Sequence, residues 1–135
     1  MITAYLTAIS TIYEGEDIEI RYSIYEDQEL LQKDSVLMEY KKPAIVGQVA
    51  LLTLLKKLKA YPDKEISIII NDPALYEFVK GTSTTKNKDV LIHGREIRKE
   101  LNKHGNVKVK DIQGDRTLLA KWNEALSFTN QGLRR

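Results

Sequence analysis

Apolar and polar positions alternate in the first third of the chain and then change to a wider spacing. Residues 18–24 alternate strictly between apolar and polar side chains, as a half-buried strand does. Residues 1–9 are mostly apolar, residues 30–40 have the apolar run 36–38 at their centre, and the polar stretches 14–17 and 26–29 are interpreted as turns. The pattern therefore predicts three consecutive strands joined as an antiparallel meander.

The spacing becomes helical after Pro43, a residue that suits the first turn of a helix. Apolar positions up to Leu58 form a wide face, which predicts a centrally packed helix. The isoleucine-rich run 65–70 does not alternate, and this is typical of a strand buried on both faces. Pro73 then begins a short predicted helix that continues through Val79.

The last third of the chain predicts three more elements. Residues 90–103 have helical spacing, residues 107–110 alternate as a short strand, and residues 118–128 form a final helix with the single tryptophan. We therefore expect one domain over residues 1–128, followed by a frayed C-terminal tail at residues 129–135.

Composition sets the class of protein. A chain of 135 residues with 42% hydrophobic and 30% charged residues is typical of one soluble globular domain. No apolar run reaches the length of a membrane span, and the N-terminus lacks the layout of a signal peptide. The absence of cysteine excludes disulfides and thiolate metal sites, which fits a cytoplasmic protein.

Asp72 is the residue whose position points most directly to chemistry. It follows the apolar run 65–70, and α/β proteins place their functional groups at the carboxyl ends of such strands. It also directly precedes Pro73, where a carboxylate caps the N-terminus of a helix. The sequence leaves both interpretations open, a metal ligand and a helix cap.

The order and spacing of these elements resemble those of the ribonuclease H family over almost the whole chain. The similar segments are the central helix (46–55), the fourth strand with its aspartate and following helix (69–79), the basic loop and helix (86–97), the last strand (107–109) and the C-terminal helix (122–126). The resemblance implies an α/β, ribonuclease H-like three-layer fold. Its mixed five-stranded sheet would have three antiparallel strands, then two further strands, with helices on its faces.

Active members of that family use four carboxylates to hold two divalent cations, Mg²⁺ or Mn²⁺, which activate water at a phosphodiester. Carried over by position, only Asp72 is retained. The other three positions fall on neutral residues, which are Thr7 or Ala8, Gly47 (Gln48 after a one-residue slip) and Asn123. The resemblance therefore implies a catalytically inactive domain without a resident cofactor, in which Asp72 alone could contact Mg or Mn.

Other acids could in principle rebuild a metal site. Asp115 precedes the last helix, and Glu14, Glu16 and Asp17 lie in the first turn, where acids are usually solvated. A divalent-metal-dependent nuclease with a rearranged acidic site is therefore the least favoured hypothesis.

Basic residues cluster where related proteins contact the substrate backbone. A duplex or an RNA–DNA hybrid is therefore the expected partner, held through phosphates without sequence readout. The residues concerned are Lys80, Lys86, Lys88, Arg95, Arg98 and Lys99. Against this, 19 acidic residues nearly balance 21 basic ones, and such lysines often only solvate a helix face.

The alternative is a protein-interaction or structural module on the same fold, with a protein partner or a homodimer. Seven tyrosines accompany only two phenylalanines, and interfaces favour tyrosine, although strands do so too. His93 and His104 are interpreted as structural, and Trp122 as a core or interface residue.

Overall fold

A computed structural model describes residues 1–9, 17–39, 43–83 and 85–127 of the chain. The strands are β1 (Ile2–Ile9), β2 (Ile18–Glu26), β3 (Glu29–Met38), β4 (Ile66–Ile70) and β5 (Val107–Asp111). The helices are α1 (Pro43–Lys57), α2 (Pro73–Lys80), α3 (Lys88–His104) and α4 (Arg116–Ala125), and a 3₁₀ turn (Leu58–Ala60) extends α1.

The strands form one mixed sheet in the order β3-β2-β1-β4-β5. Strand β2 is antiparallel to both β1 and β3, whereas β4 is parallel to both β1 and β5. The predicted three-strand meander and the mixed five-stranded sheet are confirmed. The parallel pairing brings the carboxyl ends of β4 and β5 to the same end of the sheet, and the candidate site lies at this end.

The main core lies between the sheet and helices α1, α2 and α3. Every residue of β4 is buried, which confirms the prediction for the isoleucine-rich run. Helix α1 contributes leucines on several sides because it contacts both the sheet and α3. Helix α3 approaches α2 at Gly94, which lies directly against the ring of Phe78.

Among the described helices, α4 is the one that packs on the opposite face of the sheet. Its Ala125 and Leu126 at its C-terminal end contact a smaller cluster that includes Tyr5, Ile69 and Ile112. The indole Nε1 of Trp122 donates to the carbonyl of Leu6 at 3.0 Å, so this residue anchors α4 to the sheet. These two faces complete the three-layer arrangement.

Two helices begin earlier than their apolar spacing predicts, because polar caps set their first turns. Asn87 accepts from the backbone N–H of Asp89 and Val90 at the start of α3. Asp115 accepts from the N–H of Leu118 at the start of α4. Helix α4 is described only to Ala125, and the predicted tail lies outside the described residues.

The two histidines are both half-buried and hydrogen-bonded to backbone carbonyls. His93 Nδ1 lies 2.8 Å from the carbonyl oxygen of Asp89, and His104 Nε2 lies 3.1 Å from that of Leu55. Both contacts agree with a structural role. None of the helices in the described part of the chain is long and apolar enough to cross a membrane.

Candidate functional site

Asp72 lies just beyond the carboxyl end of β4 and caps helix α2. Its Oδ1 accepts from the backbone N–H of Leu75 at 3.1 Å, while Pro73 occupies the first turn. The sequence left two interpretations of this carboxylate open, and the geometry shows the capping one.

Asp111 is a second carboxylate at the same end of the sheet, and sequence reasoning missed it. It is the last residue of β5, and its Oδ1 accepts from the backbone N–H of Asp72 at 2.9 Å. Its Oδ2 accepts from the backbone N–H of Gln113 at 3.1 Å. The carboxylate of Asp111 therefore joins the ends of β4 and β5 by accepting hydrogen bonds from backbone N–H groups. The signal that could have found it is the parallel pairing of β5 with β4, which places both strand ends together.

A groove of about 190 Å³ runs beside Asp72, between the end of β1 and the N-terminal half of α1. Thr7 and Ala8 line it from β1, and Gly47 lines it from α1. A Cβ atom on Gly47 would lie 2.6 Å from Oδ2 of Asp72, so a side chain at this position would displace the carboxylate. The structure thus brings Thr7, Ala8 and Gly47 together with Asp72.

The residues of this groove do not fit a pair of divalent cations. Asp72 is the only carboxylate among its described lining residues, whereas two Mg²⁺ ions, each held through one or two carboxylates, need more anionic ligands than this one residue supplies. The described part of the chain contains no group of three or more His, Cys, Asp or Glu side chains arranged for a metal ion.

The other acids and the amide named from the sequence lie elsewhere. Asn123 is exposed in the second half of α4 and does not line the groove, and Asp17 is exposed before β2. Asp115 caps α4. Glu14 and Glu16 lie outside the described residues.

A second cavity, of about 290 Å³, adjoins the groove through Gly47, Asp72 and Leu75. We call it the Gln48 pocket. Its polar lining residues are Gln48, Asp72, Ser83, Thr85 and Asn87. Asp72 caps α2 and Asn87 caps α3, so the N-termini of two helices converge here.

Gln48 is the least expected member of this pocket. Its side chain is 4% exposed, and its Oε1 has no hydrogen-bond partner within the described residues. A buried amide atom without a partner is costly, at about 1–3 kcal/mol. The pocket therefore has an unmet hydrogen-bonding requirement at its base.

The side-chain oxygens of Ser83, Thr85 and Asn87 in this pocket accept hydrogen bonds from backbone N–H groups. Ser83 Oγ accepts from the N–H of Thr85 at 3.3 Å, and Thr85 Oγ1 accepts from that of Asn87 at 3.2 Å. Asn87 Oδ1 accepts from two N–H groups of α3. The two hydroxyl hydrogens and the Asn87 amide N–H groups are the donors that these side chains can offer to a ligand.

The six predicted basic residues occupy three places. Lys86 and Lys88 are exposed and flank Asn87 in the sequence, and Asn87 lines the Gln48 pocket. Lys80 and Arg98 lie over aromatic rings of α2, with Lys80 Nζ 5.0 Å from the Tyr76 ring centre and Arg98 Cζ 5.2 Å from that of Phe78. Arg95 and Lys99 are exposed on α3.

No protein-family model matches this sequence, and no curated protein matches it either. Solved structures do match. RNase H1 from the halophilic archaeon Halobacterium salinarum has a TM-score of 0.78 at 11% identity, over 97% of this chain and 98% of that one.

Two further solved structures extend this comparison. LC11-RNase H1, isolated from compost and solved with an RNA/DNA hybrid, has a TM-score of 0.75 at 16% identity, over 98% of this chain and 99% of that one. The N-terminal RNase H domain of a Mycobacterium tuberculosis protein has a TM-score of 0.71 at 11% identity, over 93% of this chain and 98% of that one. Together with the strand order and the position of α1 beside Asp72, these matches show that the chain has the ribonuclease H-like fold.

Proposed function

We propose that the chain is a catalytically inactive ribonuclease H-like domain that binds the phosphate backbone of a duplex or hybrid nucleic acid. The observation that carries this proposal is the Gln48 pocket, where hydroxyl and amide donors meet at two helix N-termini and where the lining residue Asn87 is flanked in sequence by Lys86 and Lys88. LC11-RNase H1 was solved with an RNA/DNA hybrid, and so was the foamy viral protease-reverse transcriptase, of which this chain matches 19%; both support a nucleic-acid ligand.

Inactivity is inferred from the groove beside Asp72. Two-metal hydrolysis requires cations that generate the nucleophile and stabilise the leaving oxygen. The groove offers Ala8 and Gly47 where such a site needs charged ligands, and Asp72 Oδ1 is engaged in capping α2. No step of hydrolysis through metal ions can be derived from these residues.

Phosphate binding is inferred from the electrostatics of the Gln48 pocket. Helix N-termini carry a partial positive charge, which favours an anion. The oxygen and nitrogen of a side-chain amide are assigned by its neighbours, so the Gln48 amide can turn its N–H toward a phosphate oxygen. In that orientation a phosphate oxygen accepts a hydrogen bond from the Gln48 N–H.

The carboxylate of Asp72 opposes an anion in the same pocket. Because its Oδ1 accepts from the N–H of Leu75, part of its charge is offset by the N-terminus of α2. Lys86 and Lys88, the sequence neighbours of the lining residue Asn87, add two positive charges. We therefore expect modest affinity with a strong dependence on salt.

The test is the binding of a fluorescently labelled RNA–DNA hybrid, followed by anisotropy across a range of salt concentrations. The variant Lys86→Glu/Lys88→Glu is expected to weaken binding and to reduce the slope of log K against log salt by about one for each phosphate that the variant no longer neutralises. The matched control is Lys56→Glu/Lys57→Glu, which changes two exposed lysines in the last turn of α1, at the other end of that helix from Gly47.

Equal weakening in the two variants would mean that binding follows net charge alone, and it would contradict a site at the Gln48 pocket. No binding of the parent protein at low salt would reject the nucleic-acid proposal altogether.

The alternative, a protein-interaction module, rests on the outer strand of the sheet. Strand β3 is an edge strand, and its Leu37 is 70% exposed, with Leu30 and Leu31 also exposed. Exposed apolar residues on a sheet edge favour association. A defined dimer or a protein partner, with no binding of hybrid at low salt, would support this alternative.

A further inference from the structure

A large groove lies on the face of the sheet that α4 covers incompletely. It has a volume of about 630 Å³, which exceeds that of either cavity beside Asp72. Thr3, Tyr5 and Tyr25 line it from β1 and β2, and Lys121 and Glu124 line it from α4. We call it the tyrosine groove. Its volume falls within the range of about 300–1,000 Å³ that is common for small-molecule sites.

Two aromatic rings shape the sheet side of this groove. Tyr5 is 9% exposed and is held in the small core by Ile69 and Ala125. Tyr25 is half-buried and meets Tyr5 edge to face, with ring centres 5.8 Å apart and planes at 89°. An edge-to-face contact covers at most one face of a ring, so Tyr25 keeps a face that Tyr5 does not cover.

Polar groups near these rings have unused hydrogen-bonding capacity. Ser23 pairs with Tyr5 across β1 and β2, so both side chains are on the same face of the sheet. The Ser23 hydroxyl is fully buried, and its Oγ has no hydrogen-bond partner in the described part of the chain. Burial and the neighbouring Tyr25 raise the pKa of Tyr5, so its phenol remains a neutral donor.

The polar rim indicates the charge of the ligand. Lys121 and the α-ammonium group of Met1 contribute two positive charges, and Asp27 and Glu124 contribute two negative charges, with Met1 N 3.7 Å from Asp27 Oδ1. Gln28 adds an amide that can both donate and accept. A rim whose charges balance favours a neutral ligand, and the carboxylate of Glu124 can accept from an amino group on the edge of a ring.

We propose that the tyrosine groove binds a neutral nucleobase or nucleoside, stacked on Tyr25, with its polar edge against Gln28 and Glu124. Aromatic side chains serve as stacking platforms for bases because every base offers a flat π face. This site is on the opposite face of the sheet from the main core that α1 and α2 cover, so it does not depend on the Gln48 pocket.

The test is a titration of the full chain with adenosine, monitored by ¹H–¹⁵N NMR. Saturable shifts are expected at residues 3–5, 25–28 and 121–125. Tyr25→Ala is expected to weaken adenosine binding by about tenfold, whereas Tyr25→Phe retains the ring and the affinity. Glu124→Ala changes an exposed residue that the fold does not need, and it is expected to weaken adenosine binding while the spectrum stays folded.

Three results would overturn the proposal. These are no saturable shifts at millimolar adenosine, shifts that persist unchanged in both Tyr25→Ala and Glu124→Ala, or equal shifts with inorganic phosphate alone. Lys86→Glu/Lys88→Glu separates the two proposals, because it should leave adenosine binding intact even where binding of the hybrid is abolished.

Discussion

At the scale of single residues, Asp72 stabilises a helix. An N-cap carboxylate contributes about 1 kcal/mol, and asparagine caps nearly as well as aspartate. Asp72→Ala is therefore expected to lower the free energy of unfolding by about 1 kcal/mol, whereas Asp72→Asn changes it little. Urea denaturation measures both values. Two results would contradict a capping role and indicate that Asp72 acts through its charge as a ligand. Asp72→Asn could lower the free energy of unfolding as much as Asp72→Ala does. Alternatively, Mn²⁺ could raise the stability of the parent protein but not that of the Asp72→Asn variant.

Gly47 is coupled to Asp72 because a Cβ atom would lie 2.6 Å from Oδ2. Alanine at a helix interior is normally better than glycine by about 1 kcal/mol. We expect Gly47→Ala not to stabilise the parent protein, because the Asp72 carboxylate must move. In the Asp72→Ala variant, the same substitution is expected to raise the free energy of unfolding. A double-mutant cycle measures the coupling, for which contacting residues give about 0.5–3 kcal/mol. Additive effects would show that the two residues do not meet in solution.

At the scale of elements, the contact between α2 and α3 depends on a glycine. A Cβ on Gly94 would overlap the ring of Phe78, which is itself buried. Gly94→Ala is expected to destabilise the protein by about 1–3 kcal/mol, despite the better helix propensity of alanine. Thermal or urea unfolding gives the value, and Phe78→Leu in the same chain should recover part of the stability. A stabilised Gly94→Ala variant would contradict this packing.

The start of α3 also matters at the scale of elements, because the amide donors of Asn87 and the lysines Lys86 and Lys88 come together there. The apolar spacing of the sequence begins at Val90, but the helix begins at Lys88, since Asn87 caps it. This shift puts Lys88 on the first turn of α3. Apolar periodicity does not register polar caps, so the N-terminal end of this helix was predicted less well than its buried face.

At the scale of the whole molecule, local patterns predicted the elements, and the resemblance predicted their arrangement. The burial of β4 followed from its unbroken apolar run. The hydrogen bond between Asp111 and the backbone of Asp72 joins residues 39 positions apart, and no local pattern indicates it. Gln48 Oε1, which has no hydrogen-bond partner within the described residues, and the tyrosine groove also depend on tertiary packing, so they became visible only in the structure.

We propose that this ribonuclease H-like domain binds nucleic acid without cleaving it. The most direct measurement incubates a labelled RNA–DNA hybrid with the protein and Mn²⁺ at low salt, then resolves one portion on a native gel and another on a denaturing gel. We expect a retarded complex that contains an intact RNA strand. Cleavage of the RNA strand by the parent protein, together with its loss in Asp72→Asn, would contradict this proposal.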